Sequence, residues 1–259
     1  MELEALGARI HYTLEGQGKR RVALLHGWGC ETKLMQPIAD ALKEDMQVLC
    51  IDFPGHGESS RPPQPWGVPE YAACLREVLR QLSFMPCAVI AHSFGARVAI
   101  QLASEEPALF TRLILTGAAG IRKMPTEEGK KRAEQFKRLK RLCETAKKVK
   151  VFGSLPEKME EKLRRKYGSA DYNALDEEMR KTFVKVINLD LTDRLPLIQQ
   201  PTLLLWGDAD TETPLWMGKK MEELIPDAGL VVLEGGTHFA YLEQRARFCA
   251  IARHFLLED

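Results

Sequence analysis

Short apolar runs rich in β-branched residues recur along the chain, separated by longer segments of helical period. Residues 22–26 (VALLH), 48–52 (VLCID), 87–92 (CAVIAH), 113–117 (LILTG), 202–206 (TLLLW) and 230–235 (LVVLEG) are hydrophobic with little alternation. Parallel strands covered on both faces show that pattern. Between them, apolar positions three and four apart predict helices over 32–44, 69–82, 94–105, 215–224 and 239–257. The opening LEALGARIHYTLEG reads as two short strands and a turn, an antiparallel edge. Alternation of strand and helix predicts an α/β fold, a mostly parallel twisted sheet with helices on both faces.

The rhythm breaks once. From 121 to 195 no strand pattern appears, only three helical stripes: Phe136, Leu139, Cys143 and Ala146; Met159, Leu163 and Tyr167; Met179, Phe183, Val186 and Ile187. SLPE at 154–157 has capping-box spacing and suits the start of the second helix. The predicted organisation is a core domain of residues 1–120 and 196–259 carrying a helical insertion at 121–195. That insertion is too long to be a simple connection, which makes it a lid or an oligomerisation element. The oligomeric state itself is left open.

The formal net charge of +1 gives no reason to expect nucleic acid or an anionic membrane as partner. It conceals an asymmetry, because residues 121–195 hold 21 Lys and Arg against 13 Asp and Glu, a net of +8. Such a segment is either a solvated helical surface or a device that steers anionic substrates. Six cysteines without CxxC spacing indicate neither a zinc site nor a redox pair, so no metal is expected. No stretch reaches the roughly 18 apolar residues of a membrane span. The N-terminal segment lacks the basic start and apolar run of a signal peptide. The expectation is a cytoplasmic enzyme or binding protein without a membrane span.

The candidate chemistry begins at AHSFG, residues 91–95, where a strand runs in and a helix runs out. A serine on a sharp strand-to-helix turn stands exposed above the sheet, and the helix N-terminus offers a backbone N–H to a developing oxyanion. HGWG (26–29) follows the first buried strand, where such chemistry needs a second donor. The pair assigned is the backbone N–H of Trp28 with that of Phe94. DFPGHGESS (52–60), GDADTETP (207–214) and GGTHF (235–239) follow later strands. The chain order Ser93, Asp210, His238 is that of one known triad type.

With these five motifs in order over the whole chain apart from the insertion, the sequence resembles the α/β-hydrolase superfamily. The resemblance implies Ser93 as nucleophile, His238 as general base and Asp210 as the acid that orients it. The family's acid sits three residues after a glycine and four before a proline, which selects Asp210 over Asp208. It also implies that the insertion is a cap. His26 and His92 would stabilise turns, and Asp52 and His56 would hold the Gly-rich loop. Trp216 and Phe239 are candidates to line the substrate pocket; Trp28 and Phe94 either join them or belong to the core. The implied reaction is cleavage of a small-molecule carboxylic ester or related acyl compound through an acyl-enzyme, without a cofactor. The same triad also serves carbon–carbon hydrolases and cofactor-free lyases, and some members of the fold are receptors.

Overall fold

The computed structural model describes residues 1–123, 127–147, 155–167 and 170–258. The six apolar runs form strands: β3 (Arg20–Leu25), β4 (Met46–Ile51), β5 (Cys87–His92), β6 (Phe110–Thr116), β7 (Thr202–Gly207) and β8 (Ala228–Leu233). The opening segment supplies β1 (Glu2–Ala5) and β2 (Ala8–Glu15). The eight strands make one sheet in the order β1-β2-β4-β3-β5-β6-β7-β8. β1 and β2 are its antiparallel edge, and every pairing from β4 to β8 is parallel.

The unbroken hydrophobicity of the strands now has its cause. Ala23, Leu25, Val89, Ala91, Leu115 and Leu204 belong to one core cluster, while their neighbours Val22, Leu24, Ala88, Ile90, Ile114 and Leu205 belong to another. The first cluster is covered by α2 (Val68–Gln81), α3 (Phe94–Glu105) and α8 (Leu215–Leu224). The second is covered by α1 (Thr32–Leu42) and α10 (Arg245–Leu257). Alternate side chains point to opposite faces of a strand, so burial on both faces needs apolar residues at every position.

One helix differs from its prediction. The segment 239–257 is broken at Gln244 into α9 (Ala240–Glu243) and α10. The break lets two side chains reach back to the preceding loop: the Glu243 carboxylate accepts the Thr237 amide at 2.8 Å, and Gln244 Nε2 donates to Glu234 O at 2.8 Å.

The chain divides into two compact units, one of residues 1–122 and 185–259, the other of residues 123–184. The second holds α4 (Glu127–Lys147), α5 (Leu155–Tyr167), α6 (Ala170–Ala174) and the first two turns of α7 (Glu177–Asn188). Within it α4 packs on α5, where the Tyr167 hydroxyl donates to Gln135 Oε1 at 3.2 Å and its ring meets Phe136. The helical unit thus ends before the 195 read from the pattern. Val186, Leu191 and Leu195 are buried in the core unit, and the Leu191 amide donates to Gly120 O. Two stripe members are exposed, Met159 on α5 and Ile187 on α7; the buried side of α7 follows Met179, Thr182, Phe183 and Val186. The capping position Ser154 and the side chain of Ala146 lie outside the described residues. No helix among the described residues is long and apolar enough to cross a membrane.

Candidate active site

β5 ends at His92 and α3 starts at Phe94, leaving Ser93 alone in the turn with φ 50° and ψ −106°. A non-glycine residue at positive φ is strained by about 1–3 kcal/mol and persists only where its surroundings hold it. Here the Ser93 amide donates to Thr116 O and the Ser93 carbonyl accepts the Ala119 amide, both at 3.2 Å. Two residues on, Gly95 donates to His26 O at 3.1 Å. A Cβ on Gly95 would come within 2.6 Å of Leu25 O and 2.8 Å of His26 O, so only glycine lets α3 approach β3 this closely. Three strands therefore fix the serine: β5 delivers it, and the ends of β3 and β6 brace it.

The loops after β7 and β8 bring two further groups to the same sheet edge. The Ser93 hydroxyl donates to His238 Nε2 at 3.0 Å, and His238 Nδ1–H donates to Asp210 Oδ2 at 2.8 Å. A carboxylate only accepts, which sets the tautomer. Asp210 is buried, and its other oxygen takes the amides of Glu212 and Thr213, each at 2.9 Å. Burial alone would raise its pKa. The donors from His238 and from the Thr213 amide and hydroxyl outweigh that and hold it below the usual carboxylate value. A hydroxyl, imidazole and carboxylate linked in this way can pass the hydroxyl proton to the ring while the carboxylate stabilises the resulting cation.

The HGWG turn lies against the serine turn, since a Cβ on Gly27 would stand 2.8 Å from His92 Nδ1 and 3.4 Å from Ser93 Cβ. Phe94 carries the first amide of α3, an N–H with no partner inside the helix. Its ring is core, surrounded by Trp28, Phe53, His56 and Tyr71. Trp28 is half-buried. His26 is a turn residue: Nδ1–H donates to Gly27 O at 2.7 Å and Nε2 accepts the Phe53 amide at 3.0 Å. Asp52 holds the Gly-rich loop, accepting the amides of Thr32 and Glu58 and the His11 ring. His56 bonds Pro54 O within that loop, and burial pushes its pKa down to about 3. Of the two pocket candidates, Phe239 is exposed with its ring centroid 5.6 Å from that of His238, while Trp216 is exposed on α8. Cys30 is half-buried and the other five cysteines are buried thiols. Among the described residues no group of three or more His, Cys, Asp or Glu is placed to hold a metal ion.

Three parts of the site escaped the sequence reading. Thr213 Oγ1 lies 2.8 Å from Asp210 Oδ2, 3.0 Å from Gly117 O and 3.2 Å from His238 Nδ1. Gly117 follows β6 at φ 48°, and a Cβ there would stand 3.2 Å from His238 Nδ1. His92 does more than brace a turn, because its Nε2–H donates to the His238 carbonyl at 2.9 Å. Burial and the facing His238 ring push the His92 pKa down to about 3, so it is a neutral support. A threonine three residues after the acid was the one available signal for the first of these.

A model of an alpha/beta hydrolase family matches residues 22–251. A 2-hydroxy-6-oxononadienedioate/2-hydroxy-6-oxononatrienedioate hydrolase of a Pseudomonas species is 25% identical, over 97% of this chain and 93% of its own. A pimeloyl-[acyl-carrier protein] methyl ester esterase of Neisseria meningitidis is 27% identical, over 92% of this chain and 77% of its own. In three dimensions the chain superposes on an enol-lactonase from Burkholderia xenovorans with a TM-score of 0.76, 20% identity and full coverage of both chains.

Proposed function

The chain belongs to the alpha/beta hydrolase family, and we propose that within it the protein is a serine hydrolase of carboxylic esters or related acyl compounds. The observation that carries this reading is the run of contacts from Ser93 through His238 to Asp210, 3.0 Å and 2.8 Å, with the serine strained at a helix N-terminus. His238 takes the Ser93 proton as the oxygen attacks the substrate carbonyl. The backbone amides of Trp28 and Phe94 receive the oxyanion, where one lost donor costs about 3–4 kcal/mol. The alcohol leaves with the proton from His238, and water activated by the same ring hydrolyses the acyl-enzyme. These steps use only the chain's own groups.

Phe239 and Trp216 are assigned to the substrate side of the triad. The helical unit is assigned the role of a cap, since it is inserted after the C-terminal end of β6, the sheet edge at which Ser93 also sits. Exposed Lys131, Lys137, Arg138 and Arg141 on α4 favour an acyl compound bearing a carboxylate or phosphate. A second reading, hydrolysis of a carbon–carbon bond by the same triad, has the Pseudomonas relative's named activity behind it.

The test is a ladder of p-nitrophenyl esters from acetate to palmitate, run on the wild type and Ser93→Ala. Ester turnover that falls by roughly a thousandfold or more in the variant is the expected result. Turnover that survives in Ser93→Ala overturns the nucleophile. A wild type inert to every ester but active on a 2-hydroxy-6-oxodienoate moves the assignment to carbon–carbon cleavage. Equal rates on neutral and anionic esters at all salt concentrations remove the preference for an anionic substrate.

A further inference from the structure

Thr213 occupies an unusual place beside the His238–Asp210 pair. Asp210 Oδ1 takes two backbone amides, and Oδ2 faces two donors, the His238 ring and the Thr213 hydroxyl, both at 2.8 Å. The hydroxyl has one proton and two acceptors within reach, Asp210 Oδ2 and Gly117 O at 3.0 Å. It also stands 3.2 Å from His238 Nδ1, inside the contact between ring and carboxylate. The rest of Thr213 is pinned: its amide donates to Asp210 Oδ1 and its carbonyl accepts the Trp206 indole N–H at 2.7 Å. Backbone bonds thus hold the hydroxyl in place whatever its proton does.

We propose that Thr213 is a positioning residue that shares Asp210 Oδ2 with the His238 ring and so weakens the hold of the carboxylate on the imidazole. Asp210 Oδ2 is the charged acceptor and the nearer one, at 2.8 Å against 3.0 Å for Gly117 O, so it takes the hydroxyl proton. The hydroxyl then holds a share of the carboxylate charge that would otherwise stabilise the imidazolium, which dilutes the bond that favours the charged ring. A base must be neutral to accept the serine proton, so the device extends activity toward acid. The inference rests on the triad reading above for its functional meaning, but its physical content concerns the His238 titration alone.

Other titratable groups around His238 do not obscure the effect. His92, from the end of β5, is buried and neutral down to about pH 3. Tyr241 on α9 packs on His92, and burial pushes its hydroxyl far above neutrality. Glu243 on α9 is bound by the amide and hydroxyl of Thr237. All three are unchanged by a substitution at 213.

The experiment follows the His238 imidazole by NMR across pH in wild type, Thr213→Val and Thr213→Ser, with the ring assigned by its loss in His238→Gln. Valine keeps the β-branch and both backbone bonds while deleting the hydroxyl; serine keeps the hydroxyl. The expected result is a titration midpoint about half a unit to one unit higher in Thr213→Val and restored in Thr213→Ser. The acidic limb of kcat/KM should move upward by the same amount. A Thr213→Val midpoint equal to or below wild type overturns the proposal. If Thr213→Val does not fold, Thr213→Ala against Thr213→Ser makes the same comparison. A fluorophosphonate that fails to label Ser93 in the wild type would defeat the triad reading instead, and the NMR midpoints would still decide the role of Thr213.

Discussion

Two buried aspartates stand at the ends of strands in this molecule, and each is paired with a histidine. Asp52 follows β4 and Asp210 follows β7. Each carboxylate takes two backbone amides, and each accepts a ring N–H on Oδ2, from His11 at 2.9 Å or from His238 at 2.8 Å. Both have pKa values held below the usual carboxylate value, burial opposing and donors prevailing. They differ at the far nitrogen. Beyond His238 Nε2 lies a strained serine at 3.0 Å, whereas beyond His11 Nε2 the Glu58 carboxylate stands 3.8 Å away. A His–Asp pair at the end of a strand is therefore a way to fasten a loop, and it becomes chemical only when a nucleophile is placed on the other side of the ring.

The largest separation between the two sites should come from amidation. An asparagine at 210 turns an NH2 toward either the His238 N–H or the loop amides, and the ring escapes by adopting the wrong tautomer. Asp210→Asn is expected to lower kcat by about 10⁴-fold, the order seen when a triad aspartate is amidated. Asp52→Asn makes the same donor–donor conflict in a loop, and the penalty is stability: about 2–4 kcal/mol, with kcat within tenfold of wild type. Denaturant midpoints and initial rates measured together separate the two. A kcat loss at Asp52→Asn as deep as that at Asp210→Asn would erase the distinction.

The effect of pH falls next. His56 and His92, pushed to about 3, are ordinary histidines near 6.5 once the chain unfolds. Between those values the unfolded state binds protons that the folded state does not, so stability drops as pH falls through this window. Each ring contributes up to about 1.4 kcal/mol per pH unit. The two aspartates act with the same sign, in a lower window. Their depressed folded values add stability that is complete above about pH 4 and is lost as pH falls through the folded values. The unfolding midpoint should therefore decline from pH 6.5 to 5, and His56→Phe should flatten that decline. An unchanged slope in the variant would show that the ring titrates in the folded state.

Which of these features the sequence discloses follows from how local each constraint is. The strands are legible because burial on both faces demands apolar residues at consecutive positions, as in CAVIAH. Ser93, Asp210 and His238 are legible because each sits in a turn whose glycines and prolines are written beside it. Thr213 is not, since its hydroxyl gains its place only when Gly117, 96 positions away, and His238, 25 positions away, are folded against it. The His11–Asp52 pair spans 41 positions and leaves no periodic trace. The end of the helical unit is hard to read for a similar reason: Val186 and Leu191 continue the apolar spacing of α7, and nothing in that spacing says which unit buries them.

The smallest effect sharpens the comparison most, because it applies one substitution to both rings. His11 is partly exposed, and removing it leaves Asp52 with its two amide donors and its loop pinned by the Ser59 hydroxyl, which donates to Asp52 O at 2.6 Å. His11→Asn should cost about 0.5–1.5 kcal/mol, the net worth of one hydrogen bond, and leave kcat unchanged. His238→Asn removes the same kind of bond from an equally well-fastened carboxylate, so its stability loss should match that of His11→Asn within about 1 kcal/mol. Its activity should vanish, because no group remains to take the Ser93 proton. Matched stability with divergent activity would show that the two pairs are the same structural device, separated only by what Nε2 faces. A much larger stability loss at His238→Asn would instead mean that the His238 ring carries packing that its distances to Asp210 and Ser93 do not reveal.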